Sequence, residues 1–81
     1  MLHKVSLPAI RIFEAVARRG SHRAAAAELN LSPSAISHAI RTLERTMDVQ
    51  LFEKDGRNVR LTVSGDMFMR HAVAAFDELR R

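Results

Sequence analysis

The sequence predicts a mainly α fold: three helices around one small core, a two-stranded β wing, and a long C-terminal helix. Three observations carry that expectation. Apolar residues recur at helical spacing in four stretches, an Asp-Gly pair separates two short strand-like segments, and residues suited to capping stand before the helical stretches. The chain has 81 residues, 47% of them apolar and 5% aromatic, which suffices for one modest core and calls for an oligomeric partner.

Residues 1–5 read as an unstructured lead-in. A first helix begins after Ser6, with Pro8 in its first turn, and runs over about Leu7 to Arg18, placing Ala9, Ile10, Phe13, Val16 and Ala17 on a broad apolar side. Gly20 ends it. Ser21 caps a short second helix through Leu29, in which Ala24 to Ala27 give high helix propensity and let a neighbouring helix come close. Asn30 tolerates a left-handed backbone, so the helix stops there and Leu31 is expected to tuck inward.

The most informative stretch is Leu29 to Glu44, LNLSPSAISHAIRTLE, which reads as the turn and second helix of a helix-turn-helix. Ser32 can accept from the free backbone amides of the first turn and Pro33 suits the first helical position, so a helix over 32–47 has a definite start. At 3.6 residues per turn, Ile36, Ile40, Leu43 and Met47 form one narrow stripe that must face a core. Ser34, His38, Arg41 and Arg45 lie opposite, with Ser37 at the edge and Glu44 between the two faces. The outward face therefore offers short hydrogen-bonding groups and cations without a carboxylate, which suits base edges and phosphates. The amides and positive dipole end at Ser32 favour a phosphate there as well.

In VQLFEKDGRNVRLT, Leu51 and Phe52, then Val59 and Leu61, flank a polar turn centred on Asp55 and Gly56, a strong hairpin signal. Lys54, Arg57 and Arg60 lie on or near this wing, where they either reach phosphates or a minor groove or simply solvate a hairpin tip. Thr62 can cap a last helix from about Val63 to the end, with an apolar stripe at Phe68, Ala72, Ala75, Phe76 and Leu79. That stripe exceeds what one small core covers, so part of it is expected to pair with a second copy. Residues 1–62 thus form the DNA-binding unit and 63–81 a dimerisation element.

Lys and Arg number 13 against 9 Asp and Glu, a formal charge of +4 that favours a polyanionic partner such as nucleic acid. Cysteine is absent, which excludes disulfides, a thiolate metal site and a thiol nucleophile, and is compatible with a reducing cytoplasm. The N-terminal MLHKVSLP lacks the apolar core of a signal peptide, and no run is long enough to span a bilayer, so a cytoplasmic protein without a membrane partner is expected. His3, His22, His38 and His71 contain no i, i+4 pair, so neither a metal nor a cofactor is expected. Ser37 and His38, being adjacent on a helix, point about 100° apart and make no catalytic pair, so the chain does not read as an enzyme. The rival reading is a protein-interaction module whose basic face is incidental, but such a face would more often expose apolar anchors. A general architectural DNA binder would need more charge than +4.

With these residues in view, the chain resembles the N-terminal DNA-binding domain of LysR-type transcriptional regulators. LPAIRIFEAVARRGS, Ala25 and Ala26 with Leu29, SPSAISHAIRTLE, LFEKDGRNVRLT and Ser64-Gly65 carry the likeness in order over about residues 7–66. The resemblance implies a winged helix-turn-helix, a linker helix that dimerises, and double-stranded DNA as partner, with two recognition helices in successive major grooves of an interrupted, AT-rich palindrome. It also implies a small-molecule effector bound only by an intact, longer protein; this chain ends at FDELRR within the linker helix, as a piece of such a protein or a naturally short relative would. By the same resemblance Pro33, Ser34 and His38 take base-reading positions. Ser37 and Arg41 take backbone-contacting or base-flanking ones, and Lys54 and Arg57 resemble a basic pair that contacts phosphate or an adjoining minor groove. Ser21, Ser32 and Arg45 complete the expected backbone contacts.

Four residues depart from the family pattern. His22 stands where a phenylalanine is usual, leaving a looser corner or a hydrogen-bonded imidazole as open outcomes. Pro33 replaces a frequent glutamine and His38 a frequent arginine, which alters base preference. Asp48 replaces a glycine at the end of the recognition helix, where a carboxylate meets the negative end of the dipole.

Overall fold

The computed structural model describes residues 5–79. Four helices and one hairpin follow in the expected order: α1 Leu7–Arg19, α2 His22–Leu29, α3 Pro33–Met47, β1 Phe52–Asp55, β2 Asn58–Leu61 and α4 Val63–Leu79. The chain is therefore mainly α, a three-helix unit with a two-stranded antiparallel wing and a 17-residue last helix.

Local chemistry sets the start of every helix and the end of the first three. Ser6, Ser21 and Ser32 sit in extended backbone, and their hydroxyls accept from the amides of Ala9, Ala24 and Ala35 at 3.2, 3.1 and 3.1 Å. Thr62 does the same for α4, its Oγ1 accepting from Gly65 N at 3.0 Å. At the C-terminal ends Gly20, Asn30 and Asp48 adopt left-handed φ of 68°, 58° and 54°, and their amides return to carbonyls of the last turn. Helix α1 runs one residue further than its apolar pattern suggests, to Arg19, because Gly20 closes it directly.

The core gathers on Phe13, which is fully buried. Its ring meets Phe68 of α4 edge-on at 4.9 Å and Phe52 of the wing at 5.3 Å. Each such aromatic pair adds about 0.5–1.5 kcal/mol beyond area burial, so one residue of α1 ties the last helix and the wing to the three-helix unit. Ile36, Ile40 and Leu43 pack the inner side of α3, and Ala25 and Ala26 are the small buried surface of α2 on which α3 rests.

Three expectations are corrected here. Phe68 and Ala72 are 4% and 3% exposed and belong to the chain's own core, not to a seam with another copy, because α4 folds back across α1. Leu31 is 43% exposed, since the chain must leave α2 and turn into the Ser32 cap within two residues, which carries Leu31 over the rim of the core. The wing turn is centred on Gly56 and Arg57, because the register pairs Asp55 with Asn58. Gly56 takes the positive φ of 65° that the first position of such a two-residue turn requires.

Two contacts hold the wing in place. Val59 N donates to the Gly20 carbonyl at 3.0 Å, joining β2 to the α1–α2 corner, and Thr62 N donates to the Leu51 carbonyl at 3.0 Å. Gly65 passes so near that same carbonyl that a Cβ there would lie 2.1 Å from the Leu51 oxygen. Among the described residues, no helix is long and apolar enough to cross a membrane.

Candidate nucleic-acid interface

The outward side of α3 is laid out as its periodicity requires. Pro33, Ser34, His38, Arg41 and Arg45 are exposed, Ser37 is half-buried at the edge, and the apolar stripe is turned to the core. Met47 is only half-buried, packing against the core from its margin. The Arg45 guanidinium reaches Thr42 Oγ1 at 3.4 Å, a long contact that leaves most of its donors to solvent.

Among the described residues, Arg41, Arg45, Lys54 and Arg57 make no ion pair. Among the described residues Arg11 and Arg23 make no ion pair either, so pairing alone does not mark the face; its position on one helix and one wing does. Arg60, by contrast, is joined to Glu53 across the strand register at 2.8 Å, which holds its guanidinium above the ordinary arginine range and directs it along the wing. The hydroxyls of Ser21 and Ser32 accept cap hydrogen bonds, while their own O–H groups remain able to donate to a phosphate.

His38 borders a recess of about 350 Å³ between the beginning of α1 and α3, lined also by Ser6, Pro8 and Thr42. Its ring therefore has room on the α1 side of the face. His22 fills the corner where the resemblance puts a phenylalanine. Its imidazole is half-buried, meets the Phe52 ring edge-on at 6.4 Å and makes no side-chain hydrogen bond among the described residues. Burial pushes its pKa down from the ordinary value of 6.5; the Glu44 charge opposes this and the Arg41 charge adds to it.

Glu44 is the residue that sequence reasoning placed without a role. Its Oε2 accepts from the backbone amides of Leu51 at 2.7 Å and Phe52 at 3.3 Å, so the end of α3 holds the beginning of the wing. The only signal for it in the sequence is a carboxylate at the edge of the apolar stripe, one turn before a left-handed cap. Ala75, Phe76 and Leu79, expected at a dimer seam, have side chains outside the described residues. Among the described residues, the large apolar side chains that α4 exposes are Val63 and Met67, one turn apart, and Val73. Among the described residues no cluster of metal-ligating side chains is present.

This arrangement recurs in known proteins. Residues 7–66 match the model of the bacterial regulatory helix-turn-helix protein, lysR family. The chain is 63% identical over all its 81 residues to the uncharacterized HTH-type transcriptional regulator y4mQ of Sinorhizobium fredii (strain NBRC 101917 / NGR234), of which it covers 27%. It is 47% identical over 81 residues to the HTH-type transcriptional regulator PerR of Escherichia coli (strain K12), again covering 27%. The chain thus spans about a quarter of the length of these relatives. Among solved structures, the CbnR DBD–DNA complex superposes with a TM-score of 0.89 at 30% identity, covering 95% of this chain and 88% of that one. The BenM DBD complex with benA site 1 DNA gives 0.89 at 29% identity, covering 94% and 85%. With the family model spanning most of the chain and relatives 63% and 47% identical over its whole length, this chain belongs to the LysR family of bacterial regulatory helix-turn-helix proteins.

Proposed function

We propose that the chain is the DNA-binding part of a transcriptional regulator and binds double-stranded DNA sequence-specifically as a dimer. One observation carries the reading: the exposed face of α3 presents Ser34, His38, Arg41 and Arg45 from a capped helix start, and among the described residues neither arginine is ion-paired, although Glu44 and Asp48 border its C-terminal end. Similarity to the DNA complexes of the CbnR and BenM domains supports it. Pro33, Ser34 and His38 read base edges in the major groove. Arg41 and Arg45 meet phosphate or flanking bases, Ser21, Ser32 and Ser37 meet the backbone, and Lys54 and Arg57 of the wing meet phosphate beside it.

Two copies join through α4, so that their recognition helices enter successive major grooves of an interrupted palindrome, about 34–36 Å apart. Ala75, Phe76 and Leu79 remain the proposed seam, and the exposed Val63 and Met67 supply apolar surface on the same helix. The relatives are named as transcriptional regulators and not as enzymes, which agrees with a binding role, in the cytoplasm, with any effector bound outside these residues.

Selection from random duplexes, repeated at several salt concentrations, tests the reading. The expected result is an enriched two-fold motif with half-sites one helical turn apart and an affinity that falls linearly with salt on logarithmic axes. Salt-sensitive binding with no enriched motif would remove sequence specificity, and no binding would remove the DNA reading.

A further inference from the structure

Between α3 and β1 the chain reverses within a few residues. Asp48 takes its left-handed conformation, and the amides of Asp48 and Val49 return to the carbonyls of Arg45 and Glu44 at 3.3 and 3.2 Å. The following residues then run back past the Glu44 side chain, whose Oε2 accepts from Leu51 N at 2.7 Å and Phe52 N at 3.3 Å. A half-buried carboxylate is costly unless paired. Here two backbone amides at the start of a strand offset that cost, in hydrogen bonds that are roughly twice as strong as neutral ones because the acceptor is charged.

The rest of the wing is anchored elsewhere. Strand β2 packs against α1 and α4, and its Val59 amide is held by Gly20. Glu44 thus ties β1 to α3 itself, the helix that carries Arg41 and Arg45, while β1 leads to Lys54 and the turn with Arg57.

We propose that Glu44 is a positioning residue: its carboxylate sets where the wing stands relative to α3, so that Lys54 and Arg57 bear on the same duplex as the outward face of that helix. The ligand in this inference rests on the DNA reading above; the wing placement rests on the hydrogen bonds alone. A carboxylate that only stabilised the fold would change melting and weaken all contacts alike. One that positions the wing has a different signature, because its loss removes the contribution of Lys54 and Arg57 and leaves that of α3.

The test is a thermodynamic cycle on the whole chain. Glu44→Ala is combined with the double substitution Lys54→Ala/Arg57→Ala, affinity for a selected duplex is measured against salt, and amide exchange is followed at Leu51 and Phe52. The expected result is that Glu44→Ala weakens binding about as much as the wing double variant, lowers the salt slope by about 2 for two lost phosphate contacts, and adds nothing to the wing double variant. Leu51 and Phe52 amides exchange faster while Phe13 and Ile36 stay protected, and Glu44→Gln, which keeps a neutral acceptor oxygen, restores most of the slope. An unaltered slope, fully additive losses, or unchanged exchange at Leu51 and Phe52 would overturn the proposal. Where Glu44→Ala leaves too little folded chain, Glu44→Asp, one methylene too short to reach both amides, carries the same readings. If the unsubstituted chain binds no duplex, the DNA reading has failed, and exchange at Leu51 and Phe52 alone upholds or overturns the wing placement.

Discussion

Two basic surfaces of this molecule use arginine in opposite ways. Where α1 meets α2, Arg18 holds Glu14 at 2.9 Å and also pairs with Glu28, and Arg19 reaches Glu28 at 3.3 Å. The Glu28 carboxylate, through its bond to Arg18, is pushed below its ordinary range, and the Arg18 guanidinium is pushed above its own. On α3 and the wing tip, Arg41, Arg45, Lys54 and Arg57 have no acidic partner among the described residues. A cation already bonded to carboxylates has its donors occupied and its field cancelled nearby. An unpaired one is free to neutralise a phosphate and release the cations condensed on a polyanion, which is the source of salt-dependent affinity. Position in the fold, not residue type, therefore separates cations that staple helices from cations kept for a ligand.

The largest effect should come from reversing charge on the open surface. Arg41→Glu combined with Arg45→Glu removes two charge-assisted contacts, each worth about 1.5–3 kcal/mol, so duplex affinity should fall by about a hundred-fold or more. Both side chains are exposed and unpaired, so thermal unfolding should move little. Equal affinity for reversed and unsubstituted chains would erase the distinction between the two surfaces.

The open surface also needs a rigid support for its wing, and Gly65 tests that. A Cβ added there would sit 2.1 Å from the Leu51 carbonyl oxygen and 2.9 Å from a Leu61 methyl. Neither the backbone of Leu51 nor α4 can yield without moving the wing. Gly65→Ala should cost about 1–3 kcal/mol in denaturant unfolding, and the backbone nature of the clash puts it at the upper end. An unshifted midpoint would mean that the wing base is more compliant than this contact implies.

His22 lies at the seam between the surfaces, against Phe52 and within the fields of Glu44 and Arg41. Because burial lowers its pKa in the folded chain, the unfolded chain binds more protons between that lowered value and 6.5. Its contribution is therefore fully present above 6.5 and is lost as pH falls through the folded value. Replacing the ring by one that does not titrate, His22→Phe, should flatten this part of the stability profile and strengthen contact with Phe52. Melting curves of both chains across that window decide it, and parallel profiles would exclude His22 as their source.

How much of this was legible in the sequence depended on the range of the interaction. Helix ends were readable because Ser6, Ser21, Ser32, Gly20 and Asn30 act on amides and carbonyls within one turn of themselves. The outward face of α3 was readable because a helix fixes which residues share a side. Phe68 and Ala72 were misassigned to a dimer seam because a stripe reveals that a face is apolar but not which element covers it; α1 covers them. Glu44 escaped notice for a related reason. Its partners are backbone amides seven and eight residues away, brought near by the left-handed turn at Asp48, and no side-chain pattern records such a bond. The hairpin turn was misplaced by one residue because Gly56 satisfies a positive φ at either central position of a two-residue loop.

The smallest effect, and the one that most sharpens the contrast, should come from the stapled surface. Arg18→Ala breaks the pairs with Glu14 and Glu28, yet the guanidinium is solvent-exposed, and exposed pairs contribute little because water and salt screen them. A slight fall in melting temperature at neutral pH is expected, with duplex affinity unchanged. The sign of its pH dependence follows from Glu28: its folded pKa is depressed below 4.5, so the contribution is present above 4.5 and disappears as pH drops through the depressed value. The two chains should therefore melt slightly apart at neutral pH and together in acid. A loss of duplex affinity in Arg18→Ala comparable to that from Arg41 would show that ion pairing does not withdraw a cation from the interface, and the two surfaces would then have to be read as one.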